Sequence, residues 1–402
     1  MCTARPSPTK KLWCWKCTMA RIIRKCRRGT PMNAMPIESP DVSDVKDLTD
    51  RVLANTGALR RFMAALFRAA GLPEASSNLV AQALVDADCQ GRASHGVMLA
   101  PMYLDRLREG SVSTLSQADI VSDTGSVIVL DAHNALGQIS ADQAVKLLGE
   151  RAPAHGLASV AVRNAFHFGA AGHWASQLAD LGLIGIVMSN TRPLMPAPGG
   201  AESVVGNNPV SIAMPSATPI PIVLDMATSA SAMGTIRLAE AAGHDIPPGW
   251  ATDSNGLGTT DPAQAIKGML LPAAGPKGFG LAFMIDLFCG GLSGGAIGDG
   301  VRALYSNAAV PYGCAHLFIA IDVARFLPLA EFSARASEFA ERVRSSARAA
   351  GTERLFSPGE MEWSAAERHK DACPLDSGTA HSLHVLAAQW QVDATDIFTA
   401  IR

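Results

Sequence analysis

The chain has 402 residues, enough for two or three domains at roughly 100–200 residues each. Hydrophobic residues make up 48% and charged residues only 17%, a balance that excludes an intrinsically disordered polypeptide. A net charge of −2 gives no global attraction to nucleic acid or anionic membrane, and eight cysteines are too few for a disulfide scaffold.

The neutral total conceals an asymmetry. Residues 1–37 hold nine basic residues, four of the eight cysteines and no acid, while the rest carries 25 basic against 36 acidic residues. This head lacks the apolar run of a secretory signal. Cys14-x-x-Cys17 is followed by no His or Cys pair at finger spacing, so no metal site is expected. Residues 1–45 read as a disordered basic extension, with Met32 or Met35 as alternative starts.

Further along, Leu59, Phe62, Met63, Leu66 and Phe67 fall on one helical face, and Gly71-Leu72-Pro73 stops that helix. Leu79, Val80, Ala83, Leu84 and Ala87 repeat the pattern, and Pro101 opens a short third helix ending near Gly110. From about residue 120 the period changes. Short Val- and Ile-rich runs at 126–131, 159–162, 183–189, 209–214, 221–225 and 316–322 predict strands. Helices are expected at 141–148, 171–181, 227–242 and 277–292, and again at 330–350. Leu281–Gly298 is apolar but broken by Asp286 and several glycines, so it reads as a buried helix. No membrane span is expected, and the protein is taken as soluble and cytoplasmic. The last 40 residues give no clear pattern, and His369, Cys373, His381 and His384 are sparse enough there to be surface residues.

A helix–strand alternation of this kind suggests a dinucleotide fold. Yet no G-x-G-x-x-G lies between a strand and a helix, and the P-loop pattern is absent. Gly275-Pro276-Lys277-Gly278-Phe279-Gly280 is glycine-rich with the wrong spacing. Any nucleotide would have to bind on another scaffold. Ser94-His95-Gly96 falls between two predicted helices, and His167-Phe168-Gly169 follows a strand, where open α/β sheets place ligands. Asp225 ends a strand and could equally cap the next helix. Lys277 stands among glycines and could equally be a solvated loop charge. His133, His155 and His244 read as ordinary core or surface histidines.

Taken together, these stretches resemble the type-2 malate/L-lactate dehydrogenase family. The resemblance runs through Ser94-His95-Gly96 with Tyr103 and Arg106, then Asp131–Gln138, Arg163–Gly172 and Asn190-Thr191-Arg192-Pro193. It continues through Gly206–Pro209, Leu224–Ser229, Ile246–Ala251, Thr259–Pro262 and Leu271–Gly278, in order from about residue 55 to 363. It implies an α/β (α+β) fold: a non-Rossmann, NAD(P)-binding mixed-sheet core flanked by a helical domain built from both chain ends. The expected parts are 46–119 (N-terminal helices), 120–328 (cofactor-binding and catalytic core) and 329–402 (C-terminal helices packing on the first). The implied activity is hydride transfer between NAD or NADP and C2 of a small 2-hydroxy or 2-oxo acid. A cyclic imino-acid reductase and a non-catalytic nucleotide-binding relative are the alternatives. The resemblance places the acid/base at His167 and puts Ser94 and His95 at the substrate end. Thr191, Asp225, Met226, Ala227, Lys277, Pro358, Gly359 and Glu360 match cofactor-binding positions. Unperturbed imidazole titrates near 6.5, which suits proton transfer at neutrality. Partners implied are a small carboxylate substrate and a second copy of the chain, with no nucleic acid.

The departures from the family concern the carboxylate grip. Many relatives carry an arginine five positions after the motif serine, where this chain has Leu99. Ureidoglycolate enzymes carry a second substrate arginine near the position of Val310, and an aspartate where Arg192 stands. Tyr103 and Arg192 are the expected substrate contacts, with Arg106 and Arg302 as further candidate cations.

Overall fold

The computed structural model describes residues 51–398. The basic extension expected over residues 1–45 and its Cys14-x-x-Cys17 lie outside them.

β1 (Arg51–Asn55) leads into α1 (Thr56–Ala69), where the Asn55 side chain accepts from the Ala58 N–H at 2.8 Å. That bond satisfies one of the orphan donors of the first turn. α1 buries Leu59, Phe62, Met63, Leu66 and Phe67, the face its spacing predicts, and packs on α2 (Glu74–Cys89). α3 (Ala100–Arg108) begins with Pro101 in its first turn, where a missing N–H costs nothing.

The central sheet has seven strands: β2 (Asp119–Asp123), β3 (Val127–Asp131), β4 (Leu157–Ala165), β5 (Leu183–Ser189), β6 (Val210–Met214), β7 (Ile222–Met226) and β8 (Cys314–Asp322). They lie in the order β2-β3-β4-β8-β5-β6-β7. β3 and β4 run parallel, joined by the crossover helix α4 (Gly137–His155), and the other neighbours pair antiparallel. A doubly wound dinucleotide fold is built on a mostly parallel sheet. The mixed sheet therefore agrees with the missing glycine fingerprint. α5 (Ala171–Asp180) follows β4 and packs on β5 and β6, its Trp174 fully buried. Short ladders pair Met195–Pro196 with Ser203–Val205, and Ala251–Thr252 with both Gly258–Thr259 and Met269–Leu270.

Several helices differ from expectation in their bounds, the one expected at 330–350 ending at Arg344. The one expected at 227 starts only at Met233, as α6 (Met233–Ala242). The N–H groups of Thr228 and Ala230 are already bonded to the carbonyls of Asn207 and Leu271, which ties 228–230 across to neighbouring loops. After α7 (Pro262–Lys267), α8 (Pro276–Asp286) passes into a wider π-type turn over Leu287–Gly291 instead of running straight to Leu292. No helix of the described residues is long and apolar enough to cross a membrane.

The C-terminal segment is not purely helical. α9 (Leu329–Arg344) and α10 (Glu360–Arg368) are followed by β9 (Ala372–Asp376), which pairs antiparallel with β1, Arg51 opposite Asp376. α11 (Ser377–Trp390) closes the segment and packs on α1. Cys373 is fully buried, which corrects the expectation of a surface residue, and His369 Nδ1 lies 2.9 Å from the Cys89 carbonyl. One apolar cluster runs from α1–α3 through β3 and β4 to Cys373, Leu383 and Leu386. Both ends of the described segment thus share one core with the sheet.

Candidate active site

His167 stands in the loop just past β4. Phe166 and Phe168 on either side are buried, and the Trp174 indole N–H donates to the Phe168 carbonyl at 2.9 Å. The loop is therefore pinned on both sides of the histidine. His167 Nδ1 lies 2.7 Å from the Tyr103 hydroxyl, and its ring stacks on His95 with centroids 5.6 Å apart. Burial pushes the His167 pKa down to about 3, with the neighbouring His95 and His316 adding to the effect. The ring is neutral at physiological pH, and its ionisation is not at the unperturbed value taken from sequence.

His95 belongs to a loop seated on a buried acid. Ser94 Oγ lies 3.0 Å from His95 Nδ1, and the Val97 N–H donates to Asp88 Oδ2 at 2.7 Å. A Cβ on Gly96 would sit 2.1 Å from Asp88 Oδ1, so the loop approaches that carboxyl as closely as only glycine permits. Burial also lowers the His95 pKa, Asp225 opposing the shift and Arg92 adding to it.

Asp225, on β7, is not a helix cap. It accepts the Gly172 N–H at 3.0 Å and forms an ion pair with Arg92, which also reaches Glu362 at 3.2 Å. Gly172 is another close approach, since a Cβ there would lie 2.7 Å from Asp225 Oδ2. The first turn of α5, the end of β7 and the loop before Ser94 thus meet at one carboxylate.

The expected cofactor residues converge on the same strand end. The Thr191 N–H donates to Asn208 Oδ1 at 2.8 Å, and its hydroxyl to Asn207 Oδ1 at 3.0 Å. The Asn207 carbonyl accepts the Thr228 N–H at 3.0 Å, and the Thr228 carbonyl accepts the Ala273 N–H at 2.9 Å. These bonds bring Thr191, the half-buried Met226 and Ala227, and the loop leading to Lys277 together. Lys277 is exposed in the first turn of α8 and has no hydrogen bond or ion pair among the described residues. Pro358 and Gly359 lie against β7, the Pro358 carbonyl accepting the Val223 N–H at 3.1 Å. Glu360 differs. Its carboxylate is held by Arg344, Arg354 and the Ser357 N–H, so it secures its own turn and is not free for a ligand. A cavity of about 570 Å³ beside this turn is lined by Met214, Ile222, Phe332, Phe339 and Pro358.

The expected substrate cations separate cleanly. Arg106 is 1% exposed and donates to the carbonyls of Ala303, Leu304 and Val310, which makes it a clamp for that loop and removes it as a carboxylate grip. Tyr103 is fully buried, so it backs His167 and does not face substrate. Leu99 is buried as well. Arg302 is exposed and donates to the Asp299 carbonyl. Arg192 is exposed, its guanidinium bonded among the described residues only to the adjacent Pro193 carbonyl at 3.5 Å. Its charge acts on Tyr312, whose ring packs edge-on against Phe166 beside His167.

Comparison with known proteins gives the family. A family model described as malate/L-lactate dehydrogenase matches residues 55–384. The chain belongs to the malate/L-lactate dehydrogenase family. It is 34% identical to the malate dehydrogenase of Pyrococcus abyssi, over 81% of this chain and 92% of that one. It is 37% identical to the L-sulfolactate dehydrogenase of Methanothermobacter thermautotrophicus, over 70% and 82%. The solved sulfolactate dehydrogenase from Methanocaldococcus jannaschii matches with a TM-score of 0.82 at 32% identity, covering 86% of this chain and 100% of that one. As a member of the family, the chain is a hydroxy-acid dehydrogenase acting on CH–OH groups with NAD or NADP.

The residues present fit such a cofactor. Thr228 Oγ1 is buried without a partner, and Lys277 offers a free cation a few residues beyond the loop bonded to Thr228. Sequence reasoning missed Arg92 and Asp88. Neither lies in a stretch that carries the resemblance, and only the fold sets Arg92 on Asp225 and Asp88 under Gly96.

Proposed function

We propose that this dehydrogenase moves a hydride between the nicotinamide of NAD or NADP and C2 of a small 2-hydroxy or 2-oxo acid of the malate or lactate type, with His167 moving the hydroxyl proton. The observation that carries this reading is the His167 ring just past the end of β4, held from behind by Tyr103 and stacked on His95. The nicotinamide, when bound, accepts or supplies the hydride. During oxidation the hydroxyl proton passes to His167 Nε2 while the O–H electron pair closes the carbonyl. His95, steadied by Ser94, orients the hydroxyl. Arg192 takes the substrate carboxylate, in place of the arginine that Leu99 has replaced. Thr191, Asp225, Met226, Ala227, Lys277 and the Pro358-Gly359 backbone hold the cofactor. The test is absorbance of the reduced nicotinamide with both cofactors against malate, lactate, sulfolactate, ureidoglycolate and 2-oxo and cyclic imino acids. Turnover of cyclic imino acids alone would replace the hydroxy-acid reading, and cofactor binding without turnover would leave a nucleotide-binding module.

Lys277 faces open solvent at a helix start, where a cation and the helix N-terminus together suit phosphate. Its contribution is to binding, so Lys277→Ala is expected to raise the cofactor KM more than it lowers kcat. An unchanged cofactor KM would make Lys277 a solvated loop charge.

The assembly proposed is a homodimer. Leu281, Met284, Phe288 and Leu292 recur along α8 and the turn beyond it, exposed by 43, 46, 41 and 61%. A contiguous apolar stripe of this kind marks an interaction surface, and the family resemblance makes a second copy its occupant. Sedimentation is expected to give twice the 42.0 kDa chain mass, and Met284→Glu to lower it. An active, strictly monomeric enzyme would refute the dimer. The four described cysteines are free thiols, which supports a reducing, cytoplasmic setting.

A further inference from the structure

Arg92 precedes Ser94 by two positions, and its side chain leaves that loop for two acids on other elements. Nη1 donates to Asp225 Oδ2 near the end of β7, and Nη2 donates to Glu362 on α10 at 3.2 Å. Asp225 Oδ2 also takes the Gly172 N–H at 3.0 Å. Two donors from different elements thus converge on one oxygen of the carboxylate. The other oxygen, Oδ1, makes no hydrogen bond among the described residues, and the side chain keeps 9% of its surface exposed. The main chain of the loop does not depend on the Arg92 side chain. The Arg92 N–H donates to the Ala87 carbonyl at 2.8 Å, the His95 N–H to the Arg92 carbonyl at 2.9 Å, and the Val97 N–H to Asp88. Backbone and Asp88 therefore hold His95, while the Arg92 guanidinium holds Asp225.

We infer that Arg92 is a positioning residue for the cofactor: its guanidinium fixes Asp225 so that Oδ1 alone is presented to a cofactor hydroxyl or carboxamide. The inference rests on the proposed role of Asp225 in holding the cofactor. Arginine suits the task because its planar fork reaches two carboxylates at once, whereas a lysine is a point charge. The same head group offsets both acids. Without it, Asp225 and Glu362 are like charges left where one cation is missing, and their repulsion turns Asp225 away from the Gly172 N–H. Gly172 makes the fit close, since a Cβ there would lie 2.7 Å from Asp225 Oδ2. The main chain of α5 therefore bounds the carboxylate on one side and Arg92 bounds it on another.

The test is a double-mutant cycle read in cofactor affinity, by calorimetric titration with NADH and NADPH in the absence of substrate. Arg92→Met keeps an unbranched side chain and removes every donor. It is expected to raise the Kd of the tighter-binding cofactor by about 10–100-fold, within the range of residues that share one network. In an Asp225→Asn background the same change should weaken binding by less than about threefold, because no carboxylate remains to be held. A merely structural role would weaken binding equally in both backgrounds. Arg92→Lys, which keeps the charge and loses the fork, should recover part of the affinity. Arg92→Met with Glu362→Gln removes the cation together with one acid, in case the single variant does not fold, and its Kd should remain raised. In turnover the loss should fall on the cofactor KM rather than on kcat or the substrate KM, since the backbone holds His95. Equal losses in the two backgrounds, wild-type affinity in either folded Arg92→Met variant, or tighter binding than wild type would overturn the inference. Asp225→Asn alone separates it from the reading beneath it. If that variant binds cofactor as wild type does, the role of Asp225 falls and the inference with it. If it binds weakly while Arg92→Met binds normally, only the role of Arg92 falls.

Discussion

His167→Asn is expected to lower kcat by 10²–10⁴-fold, about 3–5 kcal/mol of barrier, while the cofactor Kd changes within a few-fold. Asparagine keeps polarity and approximate size and removes the titrating nitrogen. The residues expected to hold the cofactor, Thr191, Asp225 and Lys277, do not bond to the ring, so their geometry survives the change. Burial pushes the His167 pKa down to about 3, so its base form is present across the neutral range in the free enzyme. The kcat/KM profile for oxidation, which reports free-enzyme ionisations, is therefore expected to stay flat through neutrality, with the His167 limb well on the acid side. His95→Asn should act chiefly on substrate KM, because His95 is assigned to orienting the hydroxyl. If His95→Asn abolishes turnover and His167→Asn does not, the roles are exchanged. If neither lowers turnover tenfold, the proposed site is wrong.

The pKa of His167 illustrates what sequence can and cannot hold. That a histidine follows β4 and precedes a helix is a local fact, legible from the Val-rich run before it and the glycine after it. That the ring is buried against Tyr103 and flanked by His95 and His316 is not local, because those residues lie 64, 72 and 149 positions away. The same division runs through the fold. The helical faces of α1 and α2 and the central strands follow from period and β-branching. The β1–β9 pair does not, since β1 has a single buried residue, Ala54, and finds its partner more than 300 residues later. The late start of α6 was also invisible, because it is set by bonds to Asn207 and Leu271 from other loops.

The carboxylate grip was the least legible part of the site. In sequence Arg192 is an expected contact and Arg106 a further candidate cation, both within stretches that carry the resemblance. Packing separates them. Arg106 spends its donors on main-chain carbonyls in the core, where a charged head is retained only because it is fully bonded. Arg192 keeps its head in solvent. Arg92 makes the opposite point, since it is close in sequence to Ser94 and His95 and yet its partners Asp225 and Glu362 are distant.

The buried acid beneath the Ser94–Gly96 loop gives the other large expected effect, on stability. Burial, reinforced by Cys89 and Asp376 and opposed by the Val97 N–H, pushes the Asp88 pKa up to about 8 from 3.8. Between those values the folded protein holds a proton that the unfolded chain has released. Its contribution to stability is therefore greatest below 3.8, declines by about 1.4 kcal/mol per pH unit as pH rises, and levels above about 8. His167 and His316 act in the opposite sense. Both are lowered from 6.5 to about 3, so their contribution is complete above 6.5 and is lost as pH falls toward 3. Below 6.5 the two imidazoles outweigh the one carboxyl, and above it Asp88 acts alone, so these groups place the stability maximum near 6.5. Asp88→Asn keeps an oxygen for the Val97 N–H and never ionises. Its unfolding free energy should therefore gain steadily on wild type from about pH 4 to pH 8 and keep a constant offset above about 8. The gain should approach 1.4 kcal/mol per unit, the slope one group can supply. Urea unfolding at pH 5, 6, 7, 8 and 9 measures it. A gap between the two proteins that stays constant across the series would mean that Asp88 is already ionised in the folded state, and the loop carrying His95 would then rest on a charge.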